Sequence, residues 1–177
     1  RDVMDVKKKS EIFSWVKLII TAFIIAIAIN NFVIVKAEVP SGSMENTVMT
    51  HDQIIGYRLA YLFSQPKRGD IVMFPFPDDE SVNYLKRIIG LPGEVVEIID
   101  GKVYINGSAE PLEEDYLKEK PNGSFGPYTV PEDSYFMMGD NRNSSLDSRF
   151  WEHPFVRKDK IIGKAVFRYS PSLNFIE

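Results

Sequence analysis

The run from residue 18 to residue 35 carries no charged side chain, and nothing else in the chain restricts its fold as tightly. As a helix rising 1.5 Å per residue it extends about 27 Å, close to the hydrocarbon thickness of a bilayer. Lys17 stands one step outside it and can snorkel to the headgroups, and Trp15 suits the interface. Asn30 and Asn31 weaken the run without ending it. Lys7, Lys8 and Lys9 precede it, whereas Glu38 and a mildly acidic remainder follow. The positive-inside rule then puts the N-terminus in the cytoplasm and the residues beyond Val35 outside the cell membrane. A cleaved signal peptide also starts basic and apolar. This run is longer than an h-region, however, and Val35-Lys36-Ala37 is a poor small-x-small site. A buried core helix seldom needs so long an uncharged stretch. The favoured reading is a cytoplasmic tail over residues 1–12 and an uncleaved transmembrane anchor over residues 13–35.

Residues 36–177 then form one domain of ordinary size. The chain is 44% hydrophobic and 26% charged, which suits a folded protein rather than a disordered one. Short β-propensity runs fall at 53–58, 71–74, 82–89, 95–99, 102–105, 134–138 and 161–169. Asp100-Gly101 between two of them is a type I′ hairpin signal. Residues 108–128, rich in Pro, Gly and charge, read as a long surface excursion. The expected fold is mainly β, an antiparallel sheet or barrel-like catalytic domain behind one N-terminal transmembrane helix. With no cysteine, disulfides, zinc thiolates and a cysteine nucleophile are excluded. Two histidines, His51 and His153, cannot write a two-histidine metal motif on a helix, so no metal and no cofactor are expected. A net charge of −4 without a basic patch beyond the first residues argues against nucleic acid.

Three segments carry possible chemistry. Ser43 lies in Ser41-Gly42-Ser43-Met44, eight residues beyond Val35 and therefore within about 27 Å of the end of the span. Most Ser-Gly-Ser triplets are plain loops. Lys86 lies inside an apolar strand, between Tyr84-Leu85 and Ile88-Ile89. Taken alone it reads as a solvent-facing lysine on a half-exposed sheet. If buried, it loses hydration of its charged form and its pKa falls. To serve as a base near neutral pH it must fall by about two to three, worth about 3–4 kcal/mol. A serine with such a lysine can cut an acyl bond without histidine. The third segment, residues 138–151, packs two aspartates, two arginines and five further polar residues between an apolar strand and Phe150-Trp151. It is either a solvated turn or a buried network that positions other groups.

In this order and spacing the segments resemble the bacterial type I signal peptidases, membrane-bound serine–lysine leader peptidases, of the compact Gram-positive type. The resemblance covers nearly the whole chain, including Lys67-Arg68-Gly69-Asp70-Ile71-Val72 and residues 84–94 and 139–149. It implies Ser43 as nucleophile, Lys86 as general base and the Ser41 hydroxyl as oxyanion donor beside the Ser43 N–H. It further implies that Ser145 orients the Lys86 amine. Asp147 and Arg149 pair to hold their loop against the site, and Met44 packs beside the nucleophile. The implied partners are signal peptides of secretory preproteins, the phospholipid bilayer and a nearby secretion translocon. One departure stands out: where the family has a Pro-Thr pair after the methionine, this chain reads Glu45-Asn46-Thr47.

The alternative from another class is an inactive membrane-anchored β-domain serving as a scaffold, against which the joint presence of Ser43, Lys86 and Ser145 argues. Self-cleaving repressor proteases carry a DNA-binding segment instead of an apolar span. A Ser-His-Asp hydrolase built on His51 lacks a nucleophile elbow. Two apolar runs, 59–63 and 74–77, are expected either to dip into the bilayer or to fill the core.

Overall fold

A computed structural model describes residues 2–176, and side chains from residue 11 onward. Arg1 and the side chains of Lys7, Lys8 and Lys9, within the expected cytoplasmic tail, lie outside that description. The chain divides into two units, residues 1–34 and 35–177.

The first unit is one helix, α1 (Asp2–Ala28), ending in a π-helical turn over Ile29–Val33. The stretch Glu11–Val33 is long and apolar enough to cross a membrane, and none of it is buried within the protein. Phe13, Leu18, Ile19 and Phe23 are all exposed, as a lipid-facing helix requires. Helical structure thus begins well before residue 13. It also stops before residue 35, because β1 (Ile34–Glu38) takes over directly. The apolar run crosses from helix to strand without a change in hydropathy.

The second unit is built from β1, β2 (Gln53–Tyr57), β3 (Ile71–Phe76), β4 (Asp79–Gly90), β5 (Val95–Ile99) and β6 (Lys102–Ile105). These are followed by β7 (Phe125–Thr129), β8 (Ser134–Met138), β9 (Phe155–Arg157), β10 (Gly163–Ser170) and β11 (Asn174–Phe175). The main sheet runs β1-β2-β10-β3-β4-β8-β9, with β11 on β10, and its ladders from β2 onward are antiparallel. A second sheet, β6-β5-β7, is also antiparallel. The fold is therefore mainly β, as the sequence predicts. Asp100 and Gly101 both take positive φ, 49° and 81°, which is what a two-residue I′ hairpin between β5 and β6 demands. The expected excursion over 108–128 is shorter than its bounds suggest, since its last residues form β7.

Strand β3 is buried on both faces. Ile71 and Met73 join Met44, Val39 and Ile54 in one cluster; Val72 and Phe74 join Ile88, Met137 and Trp151 in another. This explains what becomes of the 74–77 run. Phe74 is fully buried, and Phe76 stacks on Tyr84 at 4.6 Å while meeting Trp151 edge-on at 5.5 Å. Burying a ring such as Phe74 is worth about 1.5–3 kcal/mol, so Phe74 belongs to the core, while Pro75, Phe76 and Pro77 keep partial exposure. In the 59–63 run, by contrast, Leu62 is 63% and Phe63 95% exposed. These residues follow β2. Leu59 and Leu62 line a surface recess with Arg157 and Ile161.

Candidate functional site

Ser43 sits in a single 3-10 turn, Gly42–Met44, entered from an extended Ser41. Two features hold the turn. Met44 is wholly buried among the apolar side chains of β2 and β3. Asn141 grips the backbone on either side: its side-chain amide donates to the Gly42 carbonyl at 2.9 Å and its N–H to the Ser43 carbonyl at 3.0 Å. The two loops meet so closely that a Cβ on Gly139 would collide with Ser145 Oγ and the Ser43 carbonyl oxygen, so glycine alone fits there.

Lys86 reaches the same point from β4, where it stands opposite Val72. It is 3% exposed, and its Nζ is hydrogen-bonded to Ser43 Oγ at 2.6 Å. The Tyr84 ring lies 5.0 Å from the amine. Burial pushes the Lys86 pKa down to about 8; Asp147 and Asp140 pull it back up, and Arg149 pushes it down. Desolvation wins because the amine bonds to a hydroxyl rather than a carboxylate. Ser41 Oγ lies 3.4 Å from Ser43 Oγ. Ser145 is buried beside them, and its hydroxyl makes no hydrogen bond in this arrangement.

Asp147 and Arg149 form a bidentate pair, with both contacts at 2.8 Å and both side chains almost wholly buried. Asp147 also accepts from the Gly139 N–H at 3.0 Å, and Arg149 donates to the Arg142 carbonyl at 2.7 Å. The 139–149 segment is thus a buried network rather than a solvated turn. Sequence reasoning assigned no role to its other anchors. Arg87 forks onto Asp140 at 2.9 and 2.8 Å, with both groups buried, and Thr47 donates to the same carboxylate at 2.5 Å. Removing one member of such a pair costs about 3–5 kcal/mol. An arginine inside an apolar strand was the available signal for it. Asn46, where the family has proline, takes φ 92°, which a proline ring cannot adopt. The turn is tied down instead by Asn46 donating to the Tyr116 carbonyl at 2.9 Å.

Both histidines lie on the surface, His51 beside Glu38 and His153 beside Asp78, with side chains 80% and 68% exposed. Among the described residues no cluster of acids and histidines could hold a metal ion. A cleft of about 300 Å³ opens on Ser43 and Lys86, walled by Val39, Tyr84, Leu85 and Leu146. A second cavity of about 150 Å³ shares Val39, Tyr84 and Leu85 and reaches Ile54 and Met73.

A buried amine with a pKa of about 8 is a base only when neutral. Were Lys86 the general base of a reaction, its turnover would rise about tenfold per pH unit up to about pH 7 and level off above about pH 8–9. A kcat/KM profile flat from pH 6 to 9 would remove Lys86 as the base. The same burial costs stability. The folded pKa lies below the unfolded value of 10.5, so the unfolded chain binds more protons between about pH 8 and 10.5, and the Lys86 contribution to stability improves as pH rises through that window.

The family model described as signal peptidase, peptidase S26, matches residues 12–170. A signal peptidase I of Leptolyngbya laminosa is 40% identical over 93% of this chain and 83% of that protein. One from Bacillus licheniformis is 38% identical over 93% and 91% respectively. A crystal structure of a signal peptidase I from Enterococcus faecalis V583, 39% identical, covers 57% of this chain and 97% of that one with a TM-score of 0.49.

Proposed function

This chain belongs to the signal peptidase S26 family and is a serine protease, and on that premise we propose that it removes signal peptides from exported preproteins through a Ser43–Lys86 dyad. The observation that carries the reading is the 2.6 Å contact between a buried lysine amine and a buried serine hydroxyl, in a cleft that neither histidine lines. Neutral Lys86 takes the Ser43 proton as Oγ attacks the scissile carbonyl. The oxyanion is met by the Ser41 hydroxyl and the Ser43 N–H. Protonated Lys86 then gives its proton to the leaving amine, and a second cycle with water hydrolyses the acyl-enzyme. Ser145, buried nearby with an unused hydroxyl, orients the amine once substrate enters. The Asp147–Arg149 pair keeps the 139–149 loop in register with the serine, and Met44 roots the turn.

The substrate lies extended in the cleft. Among the described residues β4 pairs with β8 only at Arg87, Ile88 and Gly90, so residues 82–86 keep one backbone edge open to an added strand. Alternate side chains of the substrate, first and third before the cut, then enter the two cavities that share Val39 and Leu85. Apolar side chains form much of both walls, and with the family resemblance this favours cleavage after Ala-x-Ala. Proline just after the cut blocks attack, because its ring alters the scissile amide. The helix through Glu11–Val33 anchors the chain in the cell membrane, with its N-terminus cytoplasmic and the β-domain on the outer face beside the secretion translocon. The Leu62–Phe63 tip rests on the same bilayer; liposome flotation of residues 35–177 carrying Phe63→Ser checks this, and undiminished flotation removes that contact.

The function is tested by replacing either alanine of an Ala-x-Ala precursor with leucine. Overpacking a filled pocket costs about 1–3 kcal/mol, so kcat/KM should fall by roughly tenfold or more. Equal turnover of the alanine and leucine precursors would mean the cavities do not select the substrate.

A further inference from the structure

The chain between β6 and β7 folds back over the rear of the site and is bonded to both loops that build it. Glu114 takes both terminal nitrogens of Arg142, and the two side chains are 5% and 0% exposed. Arg142 in turn donates to the Gly139 carbonyl at 3.1 Å and accepts from Arg149. Tyr116 donates its hydroxyl to Glu114 at 2.7 Å. Its ring lies 3.9 Å from the Arg87 guanidinium, and its carbonyl holds Asn46. Thus one short segment touches the turn that follows Ser43, the neighbour of Lys86, and the loop of Asp140, Asp147 and Arg149. Neither Glu114 nor Tyr116 lines the Ser43 cleft.

We infer that Glu114 and Tyr116 are positioning residues for the Ser43–Lys86 dyad, clamping its two loops together and keeping water from the lysine. The inference rests on the dyad reading above. Burying the Glu114 carboxylate against the Arg142 guanidinium, away from the walls of the cleft, costs desolvation that a mere surface loop would avoid, so it needs a compensating network. That network ends on the groups that surround Lys86. From the 139–149 loop the amine is faced by Asp140, Asp147 and Arg149, from the serine turn by the Ser43 hydroxyl, and on its own strand by the Tyr84 ring. Loosening the clamp moves the loop charges and admits water together. Rehydration favours the ammonium form, so the acid limb of the pH–rate profile moves to higher pH. Misplacing the serine against the amine lowers kcat without touching the walls of the cleft.

The experiment compares Tyr116→Ala, Tyr116→Phe and Glu114→Gln in the full chain, with Ser43→Ala and Lys86→Ala in the same panel. It measures kcat, KM and the acid-limb midpoint on one Ala-x-Ala precursor. Tyr116→Ala should lower kcat at pH 7 by about 10–100-fold, hold KM within about twofold, and raise the midpoint. Tyr116→Phe keeps the ring under Arg87 and should stay near the parent. A folded Tyr116→Ala with parental kcat and midpoint overturns the inference, whatever its melting temperature. If that variant does not hold native circular dichroism at the assay temperature, Glu114→Gln is read by the same criteria, and parental values there overturn it. Activity surviving in Lys86→Ala would instead sink the dyad reading, so the two failures are distinguishable.

Discussion

Ser43→Ala and Lys86→Ala are each expected to abolish precursor cleavage, a loss of at least about 10⁴-fold, while the domain stays folded. A dyad has no spare member. Without Ser43 Oγ there is no acyl acceptor, and without the Lys86 amine 2.6 Å away nothing takes its proton. Neither change should unfold the protein. Ser43→Ala removes one hydroxyl from a turn held by Met44 and Asn141. Lys86→Ala leaves a small void but also removes a charge whose burial is itself destabilising. His51→Ala and His153→Ala should keep most activity, since both rings lie on the surface beside their own carboxylates. Turnover of the four variants, with circular dichroism as the fold control, checks this. Full activity in Lys86→Ala would contradict it.

Ser41→Ala is expected to slow turnover by about 10²–10³-fold, the usual cost of losing one oxyanion donor. Ser41 Oγ lies 3.4 Å from the nucleophile oxygen, close enough to swing onto an oxyanion forming beside it. That donor is used in the transition state and hardly at all in the ground state, so the loss should fall on kcat with KM nearly unchanged. A raised KM with unchanged kcat would mean that Ser41 binds substrate instead.

What the sequence makes legible follows from range. The Asp100-Gly101 turn is local chemistry and reads directly. The apolar helix reads as well, but not its end: Ile29–Val33 and the first residues of β1 are equally apolar, so hydropathy runs past the change to strand. Strand β7 hides behind Gly126 and Pro127, which spoil a β pattern that a sheet edge tolerates. The 74–77 run shows the ambiguity of short apolar stretches, which bury or face lipid with the same composition. Lys86 alone is indistinguishable from an exposed lysine; the resemblance, not periodicity, singled it out. Asp140 for Arg87 and Glu114 for Arg142 are 53 and 28 residues away in the chain, and no local pattern announces such partners.

The most direct measurement is sequencing of the new N-terminus after the detergent-solubilised protein meets one secretory precursor, run beside Lys86→Ala. The dyad account predicts a single N-terminus starting directly after the second alanine of Ala-x-Ala, and none with the variant. A cut elsewhere in the precursor, or the same cut made by Lys86→Ala, would contradict it.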